Sequence, residues 1–131
     1  MAERDVEVRR IREQLQRRRR DLIAANQATR DELAALKAAD RDPEYEESAQ
    51  TELADYTLSQ LLENQRRELM LIDAAFQRMD HGDFGTCVDC GIDISIERLQ
   101  ALPFAIRCEE DATAHEQERM GNVYASPPAS L

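Results

Sequence analysis

Tryptophan is absent from this chain, and glycine and proline occur only four times each in 131 residues. Folds built from many short strands need frequent breakers, so this scarcity argues against an all-β architecture and for long helices. No apolar run approaches the roughly eighteen residues of a membrane-spanning helix. The opening MAERDVEVRR is charged from its third residue and lacks the apolar stretch of a signal peptide. A cytoplasmic location without membrane attachment is therefore expected. Cysteine is sparse as well. Three residues, two of them in a CxxC pair, speak against a disulfide framework and for a metal or redox role in a reducing compartment.

Charge is what the chain has in plenty. The net charge is −10. Residues 1–37 hold ten Arg or Lys against seven Asp or Glu, a balance of +3, while the remainder holds seven against twenty, a balance of −13. A protein that binds DNA needs a cationic face to displace counterions from phosphates, so no direct DNA binding is expected. The balance suits a partner with a basic surface or a basic channel.

From about Glu3 to Ala38 neither glycine nor proline interrupts the chain, and Val8, Ile11, Leu15, Leu22, Ala25, Leu33 and Leu36 recur at roughly helical spacing. Arg18 and Thr29 stand where a good heptad would place leucine. A second helix is expected from about Glu47 to Met79. Its seam of Leu58, Leu62, Gln65, Leu69, Ile72, Phe76 and Met79 has Gln65 as a single polar interruption. Between the two lies AADRDPEYEES, whose Pro43 and dense charge break the periodicity. The expected fold is mainly α: a long antiparallel helical hairpin, or coiled coil, on a small zinc-finger-type globular base with a C-terminal helix. Arms of about 33 residues would reach roughly 50 Å. The expected organisation is a hairpin over residues 1–83 with its acidic tip near 40–49, a knuckle and terminal helix over 84–120, and a flexible tail over 121–131. Gly82 is expected to cap the second helix and Gly121 to close the last one.

Three features carry chemistry. The first is Cys87, Cys90 and Cys108, a CxxC followed after seventeen residues by a third cysteine. Paired CxxC turns present two thiolates from each half of a tetrahedral zinc site. Here the fourth position is Asp111, a permitted zinc ligand, and His115 one turn later is a second candidate. Alternatively the knuckle is metal-free, held by a small core of Val88, Ile92, Ile94, Ile96, Leu99, Leu102, Phe104 and Ile106, with Ile92, Ile94 and Ile96 alternating as a short strand. The second feature is the carboxylate cluster at the turn, Asp40, Asp42, Glu44, Glu46 and Glu47. It reads either as a solvated loop or as a probe directed at a bound Mg²⁺ or a basic lining. The third is RRIREQLQRRRR, in which Glu13 interrupts the basic run and Asp21 follows it. A solvated helix face pairing with acids on the second helix is expected there rather than a nucleic-acid site.

The pattern running from Phe84 through Cys87, Cys90, Gly91, Ile94, Arg98, Leu99, Ala101 and Pro103 to Cys108, preceded by a helical hairpin with an acidic tip, resembles the DksA/TraR family of bacterial transcription factors. The resemblance implies a non-enzymatic regulator that binds bacterial RNA polymerase through its secondary channel. The coiled-coil tip would come near the catalytic Mg²⁺ and modulate initiation, in settings such as the stringent response. The family's D-x-x-D-x-A tip maps, by ungapped count from Cys87, onto Glu44, Glu47 and Ala49; a register anchored on Asp42 would use Asp42 and Tyr45. By the same count the basic positions that serve guanosine tetraphosphate (ppGpp) in well-known members fall on Leu71, Leu102 and Ala112. Joint action with that nucleotide is therefore expected to be weak or absent. A zinc ion is the implied cofactor and a monomer the implied state. Stimulation of transcript cleavage is a neighbouring possibility. The rival from another class is a structural adaptor that dimerises through its heptads.

Overall fold

A computed structural model describes residues 3–45 and 48–125. Four helices follow in order: α1 Glu3–Asp40, α2 Ala49–His81, α3 Ile96–Ala101 and α4 Glu109–Ala125. Among the described residues there is no strand, only an isolated antiparallel bridge between Thr86 and Asp93. No described helix is long and apolar enough to cross a membrane. The chain divides into two compact units. One comprises residues 12–76, and the other joins the residues up to Ile11 with those from Gln77 onward.

The 12–76 unit is a helical hairpin. Contacts between its arms pair Arg18 with Glu68, Arg19 with Asp73 and Asn26 with Gln65, so residue numbers rise on one arm as they fall on the other. The arms are therefore antiparallel. Leu15 and Leu22 on α1 and Ile72 and Ala75 on α2 are buried, and covering each large aliphatic chain stabilises by about 1.5–3 kcal/mol. The expected pairing of the arginine run with acids on the second helix is present in Arg18–Glu68 at 2.8 Å and Arg19–Asp73 at 2.9 Å. α1 runs two residues beyond Ala38 because nothing before Pro43 opposes helix. α2 starts at Ala49, where the Ser48 hydroxyl accepts from the Thr51 amide at 3.2 Å and supplies the N-cap. Residue 47, at which the helix was expected to begin, lies outside the described residues, as does residue 46.

In the second unit α2 ends as expected at Gly82, whose φ is +83°. The Asp83 amide bonds Arg78 O at 3.0 Å and the Gly82 amide bonds Met79 O at 3.2 Å, the two bonds of a Schellman cap. Ser95 caps α3 by accepting from the Arg98 amide at 3.2 Å. Two expectations fail here, and the alternative of a metal-free knuckle finds only part of its core. The isoleucine alternation does not make a strand, because Gly91 turns the chain at φ +76° and Ile96 already opens α3. The eight-residue apolar core shrinks to Ile94 and Leu99, both fully buried. Val88, Ile92, Leu102 and Ile106 are 38–58% exposed. Finally, α4 passes through Gly121 to Ala125. A mid-helix glycine costs only about 1 kcal/mol relative to alanine and does not by itself stop a helix. Residues 121–125 of the expected tail are thus helical, and residues 126–131 lie outside the described residues.

Candidate metal centre and hairpin loop

The knuckle is assembled from two halves. In the first, the bridge between Thr86 and Asp93 closes a tight loop: Cys87 N donates to Ile92 O at 2.8 Å, Gly91 N to Cys87 O at 3.0 Å and Ile94 N to Gly85 O at 2.7 Å. That loop sets Cys87 and Cys90 on one turn. The second half joins through Val88 N to Ile106 O at 2.9 Å and through the Arg107 Nε–Asp89 Oδ2 pair at 2.8 Å. Cys108 then stands immediately before α4, and Asp111 is the third residue of that helix. Arg4 closes the unit from α1. Its Nη1 donates to Ile94 O and its Nη2 to Gly85 O, each at 2.9 Å. Neither this arginine nor the similar role of Arg78, whose Nη2 donates to Asp83 O and Thr86 O at 2.8 and 2.7 Å, was found from the sequence. Arginines in helical patterns give no signal that their targets are distant carbonyls.

The sequence-expected donors do come together. The ligand atoms of Cys87, Cys90, Cys108 and Asp111 all lie within 4.8 Å of one another. Cys87 Sγ is 3.1 Å from Asp111 Oδ2, and Cys90 Sγ is 3.9 Å from Cys108 Sγ. A tetrahedral zinc site with Zn–S near 2.3 Å and Zn–O near 2.0 Å has edges of about 3.5–3.8 Å. The four donors thus stand where one ion would span them, and the residues fit zinc. His115 is not part of this group.

Electrostatics follow from the crowding of three thiols round a carboxylate. Thiol hydrogen bonds from Cys90, then from Cys87 and Cys108, hold the Asp111 carboxyl below its usual range. The carboxylate in turn pushes the Cys90 thiol up to about 12. Burial raises Cys87, but the amides of Cys90, Cys108 and Asp89 outweigh it and leave that thiol below its ordinary value. At Cys108 the Asp111 amide pulls down, while burial, the Asp111 carboxylate and Cys87 together push it up further. Without metal the cluster keeps protons between sulfur and carboxylate. A divalent cation would displace them.

At the other candidate site, the loop from residue 41 to 48, Glu44 is exposed and its amide bonds Asp42 Oδ1 at 3.0 Å in an Asx-type turn. Ala49 is the first residue of α2 and is exposed. Glu47 lies outside the described residues. Tyr45 Oη donates to Thr51 Oγ1 at 2.9 Å, a loop-to-helix tie that the sequence did not announce.

With this geometry in hand, comparison with known proteins is decisive at the finger. Residues 82–117 match the prokaryotic dksA/traR C4-type zinc finger. The finger at residues 82–117 is thus of the DksA/TraR type. The chain is 32% identical over 62 residues to the RNA polymerase-binding transcription factor DksA of Escherichia coli, covering 45% of this chain and 41% of that protein. Its identity to the factor of the same name from Haemophilus influenzae is 36% over 67 residues, or 50% and 46% of the two chains. The matches thus span less than half the length of these curated relatives. The structure of transcription factor DksA2 from Pseudomonas aeruginosa is similar with a TM-score of 0.76 and 29% identity, over 88% of this chain and 87% of that one. The matched finger is of C4 type, whereas this chain carries Asp111 beside its three cysteines.

Proposed function

We propose that this chain is a non-enzymatic regulator of bacterial RNA polymerase that enters the secondary channel with its hairpin and brings the loop carboxylates near the active site, without binding DNA. The observation that carries this reading is the joint presence of a DksA/TraR-type finger and an antiparallel hairpin whose loop exposes Asp42 and Glu44. The name and fold of the relatives support polymerase as the partner. Carboxylates on such a loop can share or perturb a bound Mg²⁺ or pair with a basic lining. The assigned tip is Glu44, Glu47 and Ala49. A monomer fits the structure, since Gln65 and Ile72 of the α2 seam are already buried within the hairpin. This burial supports a monomer over the heptad-dimerising adaptor.

In the same reading Cys87, Cys90, Cys108 and Asp111 are the ligands of one structural zinc ion. The ion would tie the CxxC turn to the start of α4. Leu71 and Leu102, each exposed, and Ala112 offer no cation to a polyphosphate, so ppGpp is expected to add little to the effect of this factor on transcription. The deciding experiment replaces Glu44 and Glu47 by Asn. The variant should bind purified polymerase about as well as the parent, in competition with another secondary-channel factor, yet lose its effect on initiation in vitro. Normal regulation by the variant would remove the tip assignment, and failure of the parent to bind polymerase would remove the whole reading.

A further inference from the structure

The hairpin seam contains one polar layer. Asn26, Thr29 and Gln65 are 8%, 5% and 7% exposed. Asn26 Nδ2 donates to Gln65 Oε1 at 3.1 Å, Gln65 Nε2 to Thr29 Oγ1 at 3.2 Å, and the Thr29 hydroxyl to Ala25 O at 2.9 Å. The layer is continuous, and each member has a partner.

Its position in the two rows of seam residues gives it meaning. Leu15, Leu22, Thr29 and Leu36 follow one another at heptad steps on α1, as Leu58, Gln65 and Ile72 do on α2. The polar member of one row meets the polar member of the other. If α2 slid by one heptad, Gln65 would face Leu22 or Leu36, and Thr29 would face Leu58 or Ile72. Either slide strands buried amide and hydroxyl groups among leucines, at a cost well above what an exposed ion pair returns. The pairs Arg18–Glu68 and Arg19–Asp73 are of that exposed kind, so they are weak guardians of register.

The layer also marks where tight packing stops. Leu15, Leu22, Ile72 and Ala75 on one side of it are buried, whereas from residue 30 to residue 64 no described side chain is. Along that outer stretch the seam is made of half-covered Leu33, Leu36, Leu58 and Leu62. Leucine at every seam position does not distinguish one register from the next, whereas a buried polar pair does.

We propose that Asn26, Thr29 and Gln65 are the register key of the outer hairpin: positioning residues that decide which part of the chain forms the loop at 41–48. The inference makes no assumption about what that loop touches. A nearly volume-conserving variant, Asn26→Leu with Thr29→Val and Gln65→Met, removes the polar pairing without opening a cavity. Its thermal midpoint should equal or exceed that of the parent. Its amide resonances for Glu44, Tyr45 and Thr51 should nonetheless split into two or more sets or move. A single set at the parental positions overturns the proposal, whatever the midpoint does. Thr29→Ser keeps the hydroxyl and should keep one set; splitting there would trace the effect to packing and overturn it equally. The parent offers a test that needs no variant. Amides of residues 33–40 and 50–62 should exchange with solvent at least about tenfold faster than those of 22–29 and 65–72. Equal protection on both sides of the layer would also overturn it.

Discussion

Asp111 sits third in α4 among three thiols, and its carboxylate changes what each of them does with a proton. It holds Cys90 at about 12 while remaining ionised below the usual carboxylate range. Zinc must displace the thiol protons, because the thiolate is the ligand. The sign follows. Raised thiol pKa values at Cys90 and Cys108 mean that protons compete harder as pH falls, so zinc affinity should rise with pH across the neutral range. Asp111 is ionised throughout that range and contributes no proton. Calorimetric titration in buffers of different ionisation enthalpy should report about two to three protons released per zinc; release of none would contradict the thiolate set. Metal analysis should find about one zinc per chain in the parent and a large loss in Asp111→Ala, and retention there would point to another fourth ligand. A second residue-scale expectation concerns Gly85. Its φ is +81°, and an added Cβ would lie 2.8 Å from Arg4 Nη2 and 3.2 Å from Leu99 Cδ1. Gly85→Ala should therefore destabilise by about 1–3 kcal/mol in urea unfolding, through backbone strain and displacement of the Arg4 clamp.

Among the elements, the hairpin shows what a sequence conceals. The two helices were legible because they lack breakers and repeat apolar residues at heptad spacing, and the Gly82 cap was legible because only glycine adopts its φ without strain. The irregular seam positions were visible too, but only one helix at a time. Thr29 and Arg18 read as flaws in α1 and Gln65 as a flaw in α2, yet Thr29 bonds Gln65 and Arg18 bonds Glu68. Periodicity within one helix carries no information about which position faces it on the other. Asn26 went unnoticed for the same reason. The knuckle was legible at its four donors, whose spacing suits a single ion, and illegible in its packing. There, four apolar residues out of eight stay largely exposed because hydrogen bonds from Arg4 and Arg78 do part of the work expected of a core. A test at this scale is the cap of α2. Ser48→Ala removes the side-chain bond to the Thr51 amide and should cost about 0.5–2 kcal/mol, seen as faster amide exchange over the first two turns of α2 and unchanged exchange near Ile72. Uniform acceleration along α2 would mean that the cap holds more than the helix start.

For the whole molecule, the division into two units predicts how metal and fold are coupled. All four donors belong to the unit that joins the residues up to Ile11 with those from Gln77 onward, and the 12–76 hairpin contains none of them. Binding free energy of a structural zinc ion is folding free energy for the region that it ties together. Chelation should therefore loosen the knuckle and the attachment of α4 while sparing the hairpin, whose stability comes from its own seam. α3 and α4 contribute 6 and 17 helical residues against 38 and 33 in α1 and α2. Even complete loss of the two short helices would thus remove only roughly a quarter of the helical ellipticity. The expected result of chelator treatment is a far-UV signal that falls by no more than this. Amides of residues 15–29 and 65–75 should stay protected, and those of 86–94 and 109–118 should exchange faster. Loss of nearly all ellipticity in a single transition would mean instead that the two units fold as one. In that event zinc would stabilise the seam of Leu15, Leu22 and Ile72 as well as the knuckle, and metal supply would be coupled directly to the integrity of the hairpin.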